Sequence, residues 1–139
     1  VITYLDSSVI VRVVLREPDA LPEWEEVKAG VTSEIALVEY NRALLRLHLH
    51  QFLDDAELAE KQQEIREIMK RVDLVRVDRQ LLRRAAGSFG VMIATLDAIH
   101  LVSAMIYRES RNAQTLRMAT HDRQLAAAAR GMNFPVLGA

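Results

Sequence analysis

The chain contains no cysteine, no surplus of charge of either sign, few aromatic residues and no long apolar run, and each absence removes a class of protein. Without cysteine there are no disulfides, no thiolate zinc sites and no cysteine nucleophile, which suits a reducing compartment and leaves hard oxygen donors as the metal ligands on offer. Lys plus Arg number 18 against 19 Asp plus Glu, so overall charge would not hold nucleic acid, and any such contact must rest on a local patch. Of those basic residues 15 are Arg, the better bidentate partner for phosphate and carboxylate, which leaves room for such a patch. The aromatic residues, 5% of the chain, form no ladder on which bases would stack, so no base preference can be read. No stretch approaches the roughly 20 apolar residues of a membrane span, and Val1-Ile2-Thr3-Tyr4 lacks the basic flank of a signal peptide. The expectation is a soluble, cytoplasmic protein with no membrane contact.

With 139 residues, 50% of them hydrophobic, the chain has enough apolar material for a single domain over 1–139 without a linker. Val1 to Leu5 is β-branched and aromatic, a buried-strand composition, and Asp6-Ser7-Ser8 offers capping oxygens to a helix from about Val9. Glu17-Pro18-Asp19 stops that helix, Pro22 opens a short one, and Gly30 ends it before a Val31-Thr32 strand. A helix from about Ser33 to His50 follows, then a capping box in Asp54-Asp55-Ala56-Glu57 and a charged helix to about Lys70. Those two helices are expected to form an exposed hairpin. Val72 to Val77 alternates as a strand, Asp78 caps a helix, and Gly87 to Gly90 breaks it. The helix from about Leu96 to Glu109 is apolar nearly all round and belongs in the core, with Asp97 and His100 as its exceptions. Leu116 to Ala119, an Ala-rich helix from Asp122, and a short last strand at Phe134 to Leu137 complete an α/β order. Strands separated by helices predict a central, mostly parallel sheet of four or five strands between helical layers.

In such a sheet ligands sit beyond the carboxyl ends of the strands, where Asp6 and Asp122 both fall. Asp97 enters the buried helix, and Glu39 lies in the second turn of the helix after Val31-Thr32. Carboxylates gathered within about 4 to 6 Å repel one another unless a cation joins them. An all-oxygen set selects a hard ion, Mg²⁺ or Mn²⁺, and such a site suits phosphodiester hydrolysis.

The run Tyr4-Leu5-Asp6-Ser7-Ser8, Thr32-Ser33 followed by Glu39, Leu96-Asp97-Ala98-Ile99-His100-Leu101 and Thr120-His121-Asp122 resembles the PIN domain, and the size and helix pattern resemble the VapC-type toxins of bacterial toxin-antitoxin pairs. The resemblance implies a three-layer α/β/α sandwich and a metal-dependent ribonuclease cutting single-stranded or loop RNA. It carries over Asp6, Glu39, Asp97 and Asp122 as catalytic, metal-binding acids, with Ser8 and Thr120 as supporting hydroxyls. It also implies a homodimer and a VapB-type antitoxin whose tail lies across the crevice; the exposed helix hairpin near 34–70 offers that partner a grip.

Each acid has a plainer use. Asp6 and Asp122 are placed to cap helices, Asp97 to favour a helix dipole, and Glu39 to pair with Arg42; Glu34 is the rival of Glu39, and Asp78 is read only as a cap. Arg42 and Arg46, three and seven residues after Glu39, are candidates for guiding an RNA backbone, with Arg12 and Arg16 behind them. Among the histidines, His100 reads as a hydrogen-bonded core residue, His48 and His50 face different ways, and His121 should point away from the site if strand alternation persists. Two other readings stand beside the nuclease: a non-catalytic PIN-like module holding a metal or a basic tail, and a receiver-like phosphorelay domain. The second lacks a suitably placed Lys among Lys28, Lys61 and Lys70.

Overall fold

The computed structural model describes residues 1–139. The chain runs β1 (Ile2–Leu5), α1 (Ser7–Val14), a 3-10 turn (Pro22–Glu26), β2 (Ala29–Ser33), α2 (Ile35–Leu49), α3 (Asp55–Met69), β3 (Val72–Val75), α4 (Arg79–Ala85), α5 (Thr95–Arg111), β4 (Arg117–Ala119), α6 (Arg123–Gly131) and β5 (Val136–Leu137). All five strands are parallel, in the order β3-β2-β1-β4-β5. The chain therefore winds outward from β1 through β2 and β3, then crosses back to place β4 on the other side of β1. That reversal opens a crevice between the carboxyl ends of β1 and β4, where open α/β sheets bind ligands.

Alternation along β1 divides the core. Tyr4 and Met118 face α5 and α6 in one cluster with Leu101, Leu116 and Leu125, whereas Leu5 and Ala119 face α1, α2 and α3 in a second with Val9, Ile10, Leu44 and Ile65. The α/β/α layering follows, with each sheet face covered by its own set of helices. The α2–α3 hairpin is present, and its second helix begins with the expected capping box: Asp54 Oδ1 accepts from Glu57 N while Glu57 Oε1 accepts from Asp54 N.

Boundaries depart from the sequence reading where side chains intervene. Strand β3 stops at Val75 instead of Val77, because Val77 N donates to Glu34 Oε1 and leaves the ladder. Gly30 lies inside β2 rather than ending a helix; a Cβ there would stand 2.9 Å from Leu5 Cδ1. Helix α1 starts at Ser7, two positions before Val9, because Asp6 already has the extended backbone of a cap residue (φ −66, ψ 145). The last strand is confined to Val136–Leu137, and Pro135, on this sheet edge, contributes only its carbonyl, which accepts from Met118 N.

Candidate active site

The crevice beyond β1 and β4 has a volume of about 290 Å³ and no apolar lining residue. Asp6, Glu39, Asp97 and Asp122 all line it, together with Ser7, Ser8, Arg12 and His121. Four elements far apart in sequence thus deliver the four predicted acids to one place. A larger cavity, about 480 Å³, lies between the end of α4 and the start of α5, but its lining, including Phe89, Val91, Met92 and Ile93, carries no titratable group.

Asp6 is 5% exposed and its side chain makes no cap bond to α1, so its plain use as a cap is not realised. Instead Ser8 Oγ and Thr120 Oγ1 both donate to Asp6 Oδ2, at 2.9 and 2.8 Å. Each such charge-assisted bond contributes about 1.5 to 3 kcal/mol, enough to fix the carboxylate, whose Oδ1 lies 3.6 Å from His100 Nε2. Thr120 Oγ1 also accepts from Asp122 N at 3.0 Å, linking the first acid to the fourth. Asp122 does cap α6, Oδ1 accepting from Leu125 N at 2.8 Å, and Asp122 also lines the crevice. The cap and the site are compatible uses of one side chain.

Glu39 forms no pair with Arg42; its Oε1 lies 2.5 Å from His100 Nε2. Glu34 is exposed and spent on Val77 N, outside the crevice, and Asp78 caps α4 through Leu81 N. His100 is fully buried, with Nδ1 2.7 Å from the Tyr4 hydroxyl and Nε2 3.6 Å from Asp6 Oδ1. Burial pulls the imidazole pKa down, but the Glu39 hydrogen bond and the charges of Asp6, Glu39 and Asp97 outweigh it and hold the pKa above the usual value. Burial also pushes the Tyr4 hydroxyl well above its usual pKa.

Asp97 has no such partner. Desolvation first, then the charges of Asp122 and Asp6, raise its pKa to about 6. Thr95 does not cap its helix; Ala94 occupies the cap position and offers no side-chain bond. Asp97 therefore registers both its own burial and the negative charge gathered in the crevice.

A hard cation fits this donor set, since the lining offers carboxylate and hydroxyl oxygens and no thiolate. As they stand, no three Asp, Glu or His side chains converge closely enough to enclose an ion, because Asp6, Glu39 and Asp122 are each drawn onto a protein partner. Such a site suits an ion that takes one or two carboxylates and keeps its waters, rather than one needing a closed cage.

His121 departs from expectation. It lines the crevice instead of turning away, because β4 ends at Ala119 and strand alternation no longer governs position 121. Its Nδ1 lies 3.2 Å from Gly138 O. Arg42 and Arg46 are exposed on α2 and are not among the lining residues, while Arg12 is. Arg12 was legible as the residue one helical turn beyond Ser8, on the same face.

The wound parallel sheet and the acids at its reversal define a chain of the PIN-domain family: residues 3–131 match that family, and the chain belongs to it. Within the family it belongs with the VapC-type ribonucleases, being 35% identical over 137 residues to Ribonuclease VapC46 of Mycobacterium tuberculosis, across 96% of this chain and 95% of that one. Two solved structures share the fold. The crystal structure of VapBC2 from Rickettsia felis bound to a DNA fragment from their promoter matches at TM-score 0.63 with 14% identity, over 98% of this chain and 97% of the other. PAE2754 from Pyrobaculum aerophilum matches at TM-score 0.60 with 18% identity, over 94% and 87%.

Proposed function

We propose that this chain is an endoribonuclease dependent on Mg²⁺ or Mn²⁺, acting as the toxin of a VapBC-type toxin-antitoxin system on single-stranded or loop RNA in the cytoplasm. The observation that carries this reading is the single crevice lined by Asp6, Glu39, Asp97 and Asp122, in which burial first, and then the charges of Asp122 and Asp6, push Asp97 up to about 6. A bound divalent ion would supply the missing positive charge, activate a water and offset charge on the phosphate oxygens.

The residues supply position. Ser8 and Thr120 hold Asp6, His100 holds Glu39, and the α6 cap holds Asp122, so the acids meet an incoming phosphodiester already oriented. Water attacks phosphorus in line, the bond to the 3′-oxygen breaks, and that oxygen leaves with a proton. The products are a 5′-phosphate and a 3′-hydroxyl. Arg42 and Arg46, exposed on the helix that carries Glu39, are available to an RNA backbone running past the crevice.

A VapB-type antitoxin is the proposed partner, and a homodimer the proposed assembly. Supporting a partner surface on the α2–α3 hairpin, Val38, Leu45, Leu49 and Phe52 are exposed by 57%, 39%, 77% and 74%. The test is cleavage of total cellular RNA by the purified, partner-free chain with Mg²⁺ or Mn²⁺, with EDTA, and beside Asp97→Asn. Discrete fragments that need metal and vanish in the variant support the nuclease. A folded, metal-binding chain that cuts nothing moves the assignment to a non-catalytic binding module.

A further inference from the structure

The crevice is lined by four acids and a single permanent cation, Arg12. A phosphate entering meets repulsion from the acids, and even with a divalent ion it gains from a fixed positive group on the wall. Arg12 stands on α1 one turn beyond Ser8, so the hydroxyl that holds Asp6 and the guanidinium share one helix face.

The guanidinium is lightly tethered. One hydrogen bond holds it, from Nη1 to Asp19 Oδ2 at 2.6 Å, with Glu17 Oε2 at 3.8 Å from Nε. The side chains of Asp19 and Glu17 are 64% and 42% exposed, and ion pairs so open to water contribute little. The other arginines lack this combination. Arg16 is bound to Glu64 and to Val14 O, while Arg42 and Arg46 are exposed outside the lining.

We propose that Arg12 grips a backbone phosphate of the RNA in the crevice, and that Asp19 is its resting partner, exchanged for that phosphate when substrate binds. The inference rests on the ribonuclease reading and deepens it, moving the main phosphate contact from Arg42 and Arg46 to Arg12. Asp19 then acts as a competitor for the site, and removing its charge should improve binding.

The test measures fluorescence anisotropy of a short labelled single-stranded RNA of mixed sequence, with Mg²⁺, in chains that all carry Asp97→Asn so that the probe is not consumed. Arg12→Gln, which keeps the aliphatic stem, should weaken binding about five- to tenfold and reduce the salt slope by about 1. Asp19→Asn should tighten binding about two- to fivefold, the scale of an exposed ion pair. Arg111→Gln, exposed at the opposite end of α5 from Asp97, should leave both unchanged. In chains that retain Asp97, Arg12→Gln should raise KM with kcat nearly intact, and circular dichroism should give it the parent's melting curve. Equal RNA affinity and salt slope for the parent and Arg12→Gln overturns the proposal, as does an Asp19→Asn chain that binds no tighter. If the parent cuts RNA and Arg12→Gln cuts it with unchanged KM, this inference alone falls; if the parent neither binds nor cuts, the ribonuclease reading falls with it.

Discussion

His100 and Glu39, 61 positions apart, meet at 2.5 Å, and through that contact a fully buried imidazole on α5 sets the direction of an acid on α2. The same ring reaches Tyr4 on β1 with its other nitrogen, so strand, core helix and outer helix are joined beneath the crevice by one side chain. Residues that orient a ligand without touching it commonly matter to a metal site nearly as much as the ligands do.

His100→Ala should therefore lower RNA cleavage or Mn²⁺ affinity about 10- to 100-fold, although His100 is not among the residues lining the crevice. It also strands the Tyr4 hydroxyl in the core, a cost of about 1 to 3 kcal/mol. Calorimetric titration with Mn²⁺ and a urea melt separate the two effects. Unchanged metal affinity with lowered stability would confine His100 to the core. Because the folded pKa of this imidazole is raised, its contribution is fully present below the unfolded value near 6.5 and fades as pH rises through the folded one.

Asp97 runs with the opposite sign to a salt-bridged acid. Its folded pKa, about 6, exceeds the ordinary value of 3.8, so the folded state holds the proton more tightly. The metal-free chain should then lose stability as pH climbs from about 4 to 6 and stay low above that. Asp97 is partly solvated, which tempers the effect, and Asp97→Asn should raise the metal-free Tm at neutral pH by about 2 to 5 °C. Mg²⁺ should raise the parent's Tm and move the variant's less. Thermal scans at pH 4 and pH 7, with EDTA and with Mg²⁺, check both. A parent equally stable at the two pH values without metal would remove the crowding argument.

Thr120 links two acids through one oxygen, donating to Asp6 Oδ2 and accepting from Asp122 N. Thr120→Val keeps the shape and deletes both bonds, leaving a buried carboxylate with one hydroxyl fewer; the expected loss is about 1 to 3 kcal/mol in a urea melt, with cleavage reduced. Thr120→Ser restores the oxygen and should recover most of both. Failure of Ser to rescue would mean that the methyl group, not the hydroxyl, matters here.

Local chemistry made much of this architecture legible. The β1-to-α1 turn at Asp6, the Asp54–Glu57 capping box and the apolar α5 could be read because each depends on neighbours in sequence. The acids were collected into a set by resemblance, since nothing local says that Glu39 and not Glu34 turns inward. The structure decides it: Glu34 is consumed by Val77 N, and Glu39 is met by a histidine from α5. The orientation of His121 depends on where the strand ends, and β4 ends at Ala119, so alternation does not reach position 121. The place of Arg12 on the crevice wall could not be read locally, because that wall is a helix face whose neighbour, β4, arrives more than a hundred residues later.

The residue just after β5, Gly138, tests how far the site depends on backbone placement. Gly138 has φ +91, in the region that side chains rarely adopt, and a Cβ there would stand 2.6 Å from the Thr120 carbonyl oxygen. Its own carbonyl faces His121 Nδ1. Gly138→Ala must therefore push on the two residues that precede Asp122, at a cost of about 1 to 3 kcal/mol. The displacement falls on the hydroxyl that holds Asp6, so cleavage should drop more than stability alone explains. Activity and melting temperature measured on Gly138→Ala beside Gly131→Ala, where an added Cβ meets nothing within 4 Å, separate a general loss of folding from a shift at Thr120. Full activity in a correctly folded Gly138→Ala chain would show that Asp6 tolerates movement of its support.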